Sequence, residues 1–538
     1  MPIRTPPAPP HRFGRTFRLL PLFLLLVPAC GDPAAERAER VERLRSQAEA
    51  LTRRQMLMGF ESWAFGAPSD QDSLYRAYPD LFTPAAIADV RAAGGSEPDS
   101  VQARRLLWFR RYLVAEYLAR ETAPLADRTA NVEAAATVDG GAGARVPYRQ
   151  AAGTMANEER ADARARLYEA MNPVLDTLNA LLREALDRKR ALSAALGYAS
   201  YTALAEDLRG FPVDETAAMA ESVLAATDGL YDTLLVQQLR SLPGVGRPSF
   251  RRSDTGRLMR AAAFDGLFPA AALLPTVREL CRGLGIGLDS LPNLTFDVEA
   301  RERKNPRAVC FPVDVPEDVR LSIKPSGGVG DLSALLHELG HGLHFALTRE
   351  RSFEFRTLGD ATVTETYAFL LQNILANPAF LRQRFPMPPE ELRRFVRFMA
   401  FSRTSMIRRY AAKVIFEQAL HAGAPSADSL YAALLARAGG FTPVDADRKR
   451  YLADTDDLFY SAVYLRAWFL EAQLADHLAR TYGANWFENP AAGIFLAELW
   501  RSGARPTASE LAARAGGGPV LPDALLRQLR VMVLFAGS

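Results

Sequence analysis

Apolar residues recur every three to four positions along most of this chain, the spacing that lines one face of a helix. Over 34–63 the series Val41, Leu44, Ala48, Leu51, Met56 and Phe60 carries the pattern. Similar stretches over 101–119, 157–195, 214–242, 389–421, 458–482 and 491–501 predict helices, separated by Pro- and Gly-containing breaks such as 210–212 and 243–246. One region changes period. Residues 293–300 (Leu294, Phe296, Val298) and 318–323 (Val319, Leu321, Ile323) alternate apolar with polar, and 308–311 is a short apolar run between them. Two or three strands of one small β-sheet are expected there. A glycine-rich stretch, 325–330, leads into a further helix that Asp331 or Ser333 is placed to cap. No repeat, low-complexity block or long linker interrupts the chain, and 140–143 reads as a loose loop. The pattern predicts a mainly α fold, a single helical domain over 39–538.

Charge narrows the partners. The chain has 538 residues, with 65 basic and 62 acidic side chains mixed along it, for a net charge of +3. No basic stripe interleaved with aromatics occurs, so nucleic acid is not an expected partner. The first thirty residues differ from the rest. Arg4, Arg12, Arg15 and Arg18 precede a short apolar run over 19–27, well below the roughly 20 residues that span a bilayer. This reads as an export signal over 1–29. It ends in Val27-Pro28-Ala29-Cys30, which resembles the lipobox of bacterial lipoproteins. The expected mature chain starts at a lipidated Cys30 with a tether over 30–38, held on a membrane surface and facing the periplasm or cell exterior. The two later cysteines, Cys281 and Cys310, form no CxxC pair; one disulfide or two free thiols are both open.

Beyond residue 30 the histidines are His337, His341, His344, His421 and His477, and three of them fall in Leu336-His337-Glu338-Leu339-Gly340-His341-Gly342-Leu343-His344. Residues i and i+4 share a helix face, so His337 and His341 can reach one metal ion. Zinc suits imidazole nitrogen, and a catalytic site keeps three protein ligands and a water. Glu338 stands beside the first ligand, placed to take a proton from that water. A His341/His344 pairing is geometrically possible, but only Gly342 and Leu343 lie between them, so no carboxylate would serve the water. His344 is assigned a structural or supporting place behind the ligands. Leu335, Leu336, Leu339, Leu343 and Phe345 make the helix apolar, and buried histidines on it need a compensating partner. The third ligand is expected to be Glu365, 24 residues past His341 and a lone acid among small and apolar residues. Glu350, Glu354 and Asp360 fall in the connecting segment; Asp360 could hold a ligand imidazole from behind. Tyr460 and Tyr464 share a helix face and could supply a donor to an oxyanion or serve as aromatic packing.

The HELGHGLH run with a glutamate 24 residues on resembles the gluzincin oligopeptidases, the group of thimet oligopeptidase and oligoendopeptidase F, related to angiotensin-converting enzyme. The passage from 309–311 through 318–323 into the histidine helix is similar to theirs, as is 196–201 (Leu-Gly-Tyr-Ala-Ser-Tyr). The resemblance implies an elongated helical molecule whose two lobes flank a deep channel, with a catalytic core over about 290–500. One zinc ion would be held on the channel floor by His337, His341 and Glu365, with Glu338 as general base. Unstructured oligopeptides would be the substrates, adding as a strand along a sheet edge near Ser322 and Lys324. The chain departs from the group in having no histidine between His421 and His477, and Ala467 where a further tyrosine would stand. Phe369, four residues after Glu365, is not the aspartate of thermolysin-type enzymes. A zinc peptidase is the function implied; a lipoprotein that keeps the fold and zinc but only binds peptides is the alternative.

Overall fold

The computed structural model describes residues 33–537 apart from Ser69 and Ser96, and of Ala536 and Gly537 only the backbone. The export signal and Cys30 lie outside the described residues. The first helix, Pro33–Phe65, buries Val41, Leu44, Ala48, Leu51 and Phe60 as their spacing requires, and it begins inside the segment expected as a tether. The helix expected over 157–195 is instead two, Ala161–Ala170 and Asn172–Ala195, and its first residue ends an earlier helix, Tyr148–Asn157. Arg164 explains the break at 158–160. It is buried, pairs with Asp254, and donates to the carbonyls of Glu158 and Glu159 at 2.9 and 2.7 Å, satisfying acceptors that a continuous helix would have used itself.

The loose loop expected over 140–143 is the turn of a hairpin, so the described residues form two sheets and not one. Strands β1 (Thr137–Gly141) and β2 (Ala144–Pro147) pair antiparallel. Ala142 and Gly143 between them take φ values of 52° and 79°. Two left-handed residues in a row match the right-handed twist of the flanking strands.

The second sheet comprises β3 (Leu294–Asp297), β4 (Val309–Asp314) and β5 (Asp318–Ser322), in the order β3-β5-β4. Strand β5 is therefore central, parallel to β3 and antiparallel to β4. This corrects the expectation of a free edge near Ser322 and Lys324. Ser322 is buried and donates to Asp297 Oδ2 at 2.8 Å, while Lys324 lies beyond the strand and reaches the Glu302 carbonyl. The outer strands are β3 and β4, and Phe311 of β4 packs against Phe60 of the first helix.

The sheet leads into the histidine helix, Val329–Leu347. Neither Asp331 nor Ser333 is its N-cap; Gly328 is, at a φ of 91° that suits only glycine. Asp331 sits in the first turn and reaches back, accepting from the amides of Ser326 and Gly327 at 2.6 and 2.9 Å. Two glycines explain why this helix lies so close to its neighbours. A Cβ on Gly342 would stand 2.7 Å from Leu321 of β5, and one on Gly340 would stand 2.5 Å from the Cα of Ala368. Gly342 thus seats the helix on the sheet, and Gly340 lets the helix Ala361–Gln372 cross it. One large hydrophobic core runs from Val41 to Met532, with smaller clusters under the hairpin and between the first helix and β4. No single helix among the described residues is long and apolar enough to cross a membrane.

Candidate metal centre

The crossing at Gly340 brings three ligand atoms together. His337 and His341 project from one face of their helix, with ring centroids 5.0 Å apart. Glu365, on the helix Ala361–Gln372, faces both: its Oε2 lies 3.4 Å from His337 Nε2 and 3.7 Å from His341 Nε2. Ligands about 2.0–2.1 Å from a tetrahedral zinc lie roughly 3.3 Å from one another, so the spacing fits that ion.

Each ligand is held from behind. His337 Nδ1 donates to Gln372 Oε1 at 2.9 Å, which leaves the lone pair on Nε2. His341 Nδ1 donates to the Thr364 hydroxyl at 2.8 Å; that hydroxyl faces His344 Nδ1 at 3.3 Å, and His344 Nε2 donates to the Gly503 carbonyl at 3.0 Å. The chain of donors fixes the tautomers of His341 and His344, and burial pushes the His344 pKa down to about 4 against the opposing influence of the Gly503 carbonyl. Glu365 Oε1 accepts from the Tyr460 hydroxyl at 2.8 Å. What remains is telling. Glu365 Oε2 is buried with no hydrogen-bond partner, and two imidazole lone pairs point at the same spot. Such a cluster is costly unless a cation completes it, so these residues fit zinc.

Two expected roles change here. Asp360 touches no imidazole: it caps its helix by accepting from Thr362 N at 2.9 Å and also accepts from Ala508 N at 2.8 Å. Gln372 and Thr364 stand in the supporting places instead. Gln372 lies seven residues after Glu365, two turns along the same face, and Thr364 is its neighbour in sequence.

Glu338 lies against the sheet. Its Oε2 accepts from the backbone N–H of Cys310 at 2.8 Å, so that amide is turned away from β5 and toward the centre. Burial pushes the Glu338 pKa up to about 7, against the opposing influence of His337 and the Cys310 amide. The Glu338 carboxylate and the outer edge of β4 therefore meet.

The sequence matches no family profile and no curated protein. Solved structures do match. A putative oligoendopeptidase F from Bacillus anthracis superposes with a TM-score of 0.67 at 12% identity, over 94% of this chain and 97% of its own. PZ peptidase A, solved with an inhibitor, gives 0.67 at 14%, over 94% and 96%. Metallocarboxypeptidase 1 of Trypanosoma cruzi gives 0.58 at 16%, over 93% and 99%. The fold is the one these peptidases share.

In this oligopeptidase fold a cavity of about 700 Å³ opens beside His337, between the loop 326–330 and the long helix Pro389–His421. Met399, Met406 and Phe398 line it, as do Tyr464 and Tyr410. The two tyrosines named from sequence thus part company. Tyr460 is engaged with Glu365. Tyr464, one turn along the helix Tyr460–Tyr482, packs its ring on Tyr460, Tyr410 and Phe369, and its hydroxyl makes no hydrogen bond among the described residues. Tyr410 arrives from a helix distant in sequence, which is why its periodic surroundings read as ordinary core. Ala467 is fully buried between helices, with its carbonyl accepting from Thr366, and does not line the cavity.

Proposed function

We propose that the protein is an exported, lipid-anchored zinc peptidase that hydrolyses oligopeptides. The observation that carries this reading is the convergence of the His337, His341 and Glu365 ligand atoms, with one carboxylate oxygen left without a partner, beside Glu338. Bound zinc would polarise the scissile carbonyl and acidify the attacking water. The residues do the rest. A peptide adds in extended form along the outer edge of β4, next to Cys310. Glu338 takes the proton of the attacking water and returns it to the leaving amine. Tyr464 presents a free hydroxyl to the oxyanion that develops on the carbonyl, while Tyr460 holds Glu365 in its ligating rotamer. Tyr460 is accordingly a positioning residue in this reading and not the oxyanion donor.

The test is incubation of the purified protein with a mixed peptide pool, read by mass spectrometry beside Glu338→Gln. New termini from the wild type that vanish in the variant are expected. Products that persist unchanged in Glu338→Gln contradict the mechanism, and peptides retained but uncut by either protein would point to the binding function.

A further inference from the structure

The helix that delivers Tyr460 begins at an unusual corner. Leu458 and Phe459, the two residues before Tyr460, both lie in the left-handed region, with φ values of 51° and 53°. Bulky side chains avoid this region and persist there only where the surroundings hold them. The corner is held at several points. The Leu458 amide donates to the Tyr201 hydroxyl at 2.9 Å, and Arg209 donates to the Leu458 carbonyl at 2.8 Å. His421 packs its ring against Phe459. Lys413 pairs with Asp456 at 2.8 Å.

One group spans the whole corner. Glu417, on the long helix Pro389–His421, is fully buried, and no step of the mechanism above uses it. One of its carboxylate oxygens accepts from the Asp456 amide at 2.8 Å, before the two left-handed residues. The other accepts from the Ser461 hydroxyl, after them. A single carboxylate therefore clamps both ends of the six-residue path from Asp456 to Ser461, which includes Tyr460.

We propose that Glu417 is a positioning residue for the metal centre: it sets the corner so that Tyr460 meets Glu365. The proposal rests on the zinc reading and extends it to a residue with no contact to any ligand. A carboxylate buried only for packing would be replaceable by leucine of similar volume, often at no cost in stability. A clamp would not be.

The test compares Glu417→Leu and Glu417→Gln in wild-type and Tyr460→Phe backgrounds, measuring zinc affinity by chelator competition and the melting temperature of the metal-free protein. Glu417→Leu is expected to weaken zinc binding about tenfold, the size seen when supporting partners of a ligand are lost. Glu417→Gln is expected to restore most of it, because its amide oxygen still accepts from Asp456 and its NH₂ can donate to Ser461. In the Tyr460→Phe background Glu417→Leu should add nothing further. Unchanged affinity in Glu417→Leu, or its full loss repeated in the Tyr460→Phe background, overturns the proposal. If Glu417→Leu does not fold, Ser461→Ala reads the same clamp: a severalfold loss supports it and none overturns it. A wild-type chain that binds no zinc would instead overturn the zinc reading itself.

Discussion

Tyr460 donates to one carboxylate oxygen of Glu365 at 2.8 Å and leaves the other buried without a partner. The two oxygens therefore serve different ends, one fixed by the protein and the other free for a cation. Tyr460→Phe removes the fixing bond and keeps the ring packing. Zinc affinity is expected to fall about 10-fold to 100-fold with the fold intact, measured by chelator competition. Equal affinity in the variant would show that Glu365 needs no support from the tyrosine.

Gly340 is predicted to be intolerant of even a methyl group. Its missing Cβ is the space in which the Glu365 helix passes, 2.5 Å from both Ala368 Cα and the Tyr367 carbonyl oxygen. Gly340→Ala should cost about 1–3 kcal/mol through overpacking and displace Glu365 from the imidazoles, so zinc should no longer raise the melting temperature. A Gly340→Ala protein with wild-type melting in both metal-free and zinc-loaded forms would contradict this packing account.

How much of this was legible in the sequence follows from how far each interaction reaches along the chain. His337, Glu338 and His341 were legible because i, i+4 geometry is settled within one helix. Glu365 was legible as an acid out of keeping with its apolar neighbours. Gln372 and Thr364 were not, because which side chain backs an imidazole depends on the angle at which two helices cross. The same holds for Asp360, whose capping of its own helix and of Ala508 occupies both oxygens. Two or three strands are legible there but not their order: β3 pairs with β5 past the intervening β4, a choice that short alternating segments do not encode. The hairpin at 137–147 was missed because Gly140, Gly141 and Gly143 read as flexible, although two of them supply the left-handed turn geometry. The break at 158–160 depends on Asp254, some 90 residues away, through Arg164.

Acid should weaken the fold through its neutral histidines. His421 lies between Tyr201 and Phe459 with both ring nitrogens buried and unpartnered, and burial lowers its pKa to about 4. In the unfolded chain it takes up a proton near 6.5. Its contribution is therefore present above pH 6.5 and lost progressively as pH falls toward 4, by up to about 3 kcal/mol. Urea unfolding of the metal-free protein from pH 7.5 to 4.5 should show a shallower acid decline in His421→Phe than in the wild type. Parallel curves would contradict the buried neutral state.

Lipidation at Cys30 makes a separate prediction. Metabolic labelling with a fatty-acid analogue in a bacterial host should tag the wild-type chain and not Cys30→Ala, which should leave the membrane fraction. An untagged wild type would remove the anchor and leave the metal chemistry untouched.

Peptides are predicted to be cut at this centre with Glu338 as the proton acceptor. The most direct measurement is the rate of cleavage of one peptide by wild type and Glu338→Gln, each with its zinc content determined on the same sample. One zinc per chain in both proteins is predicted, with the rate of the variant lower by about 10²-fold to 10⁴-fold. Equal rates at equal zinc content would contradict it.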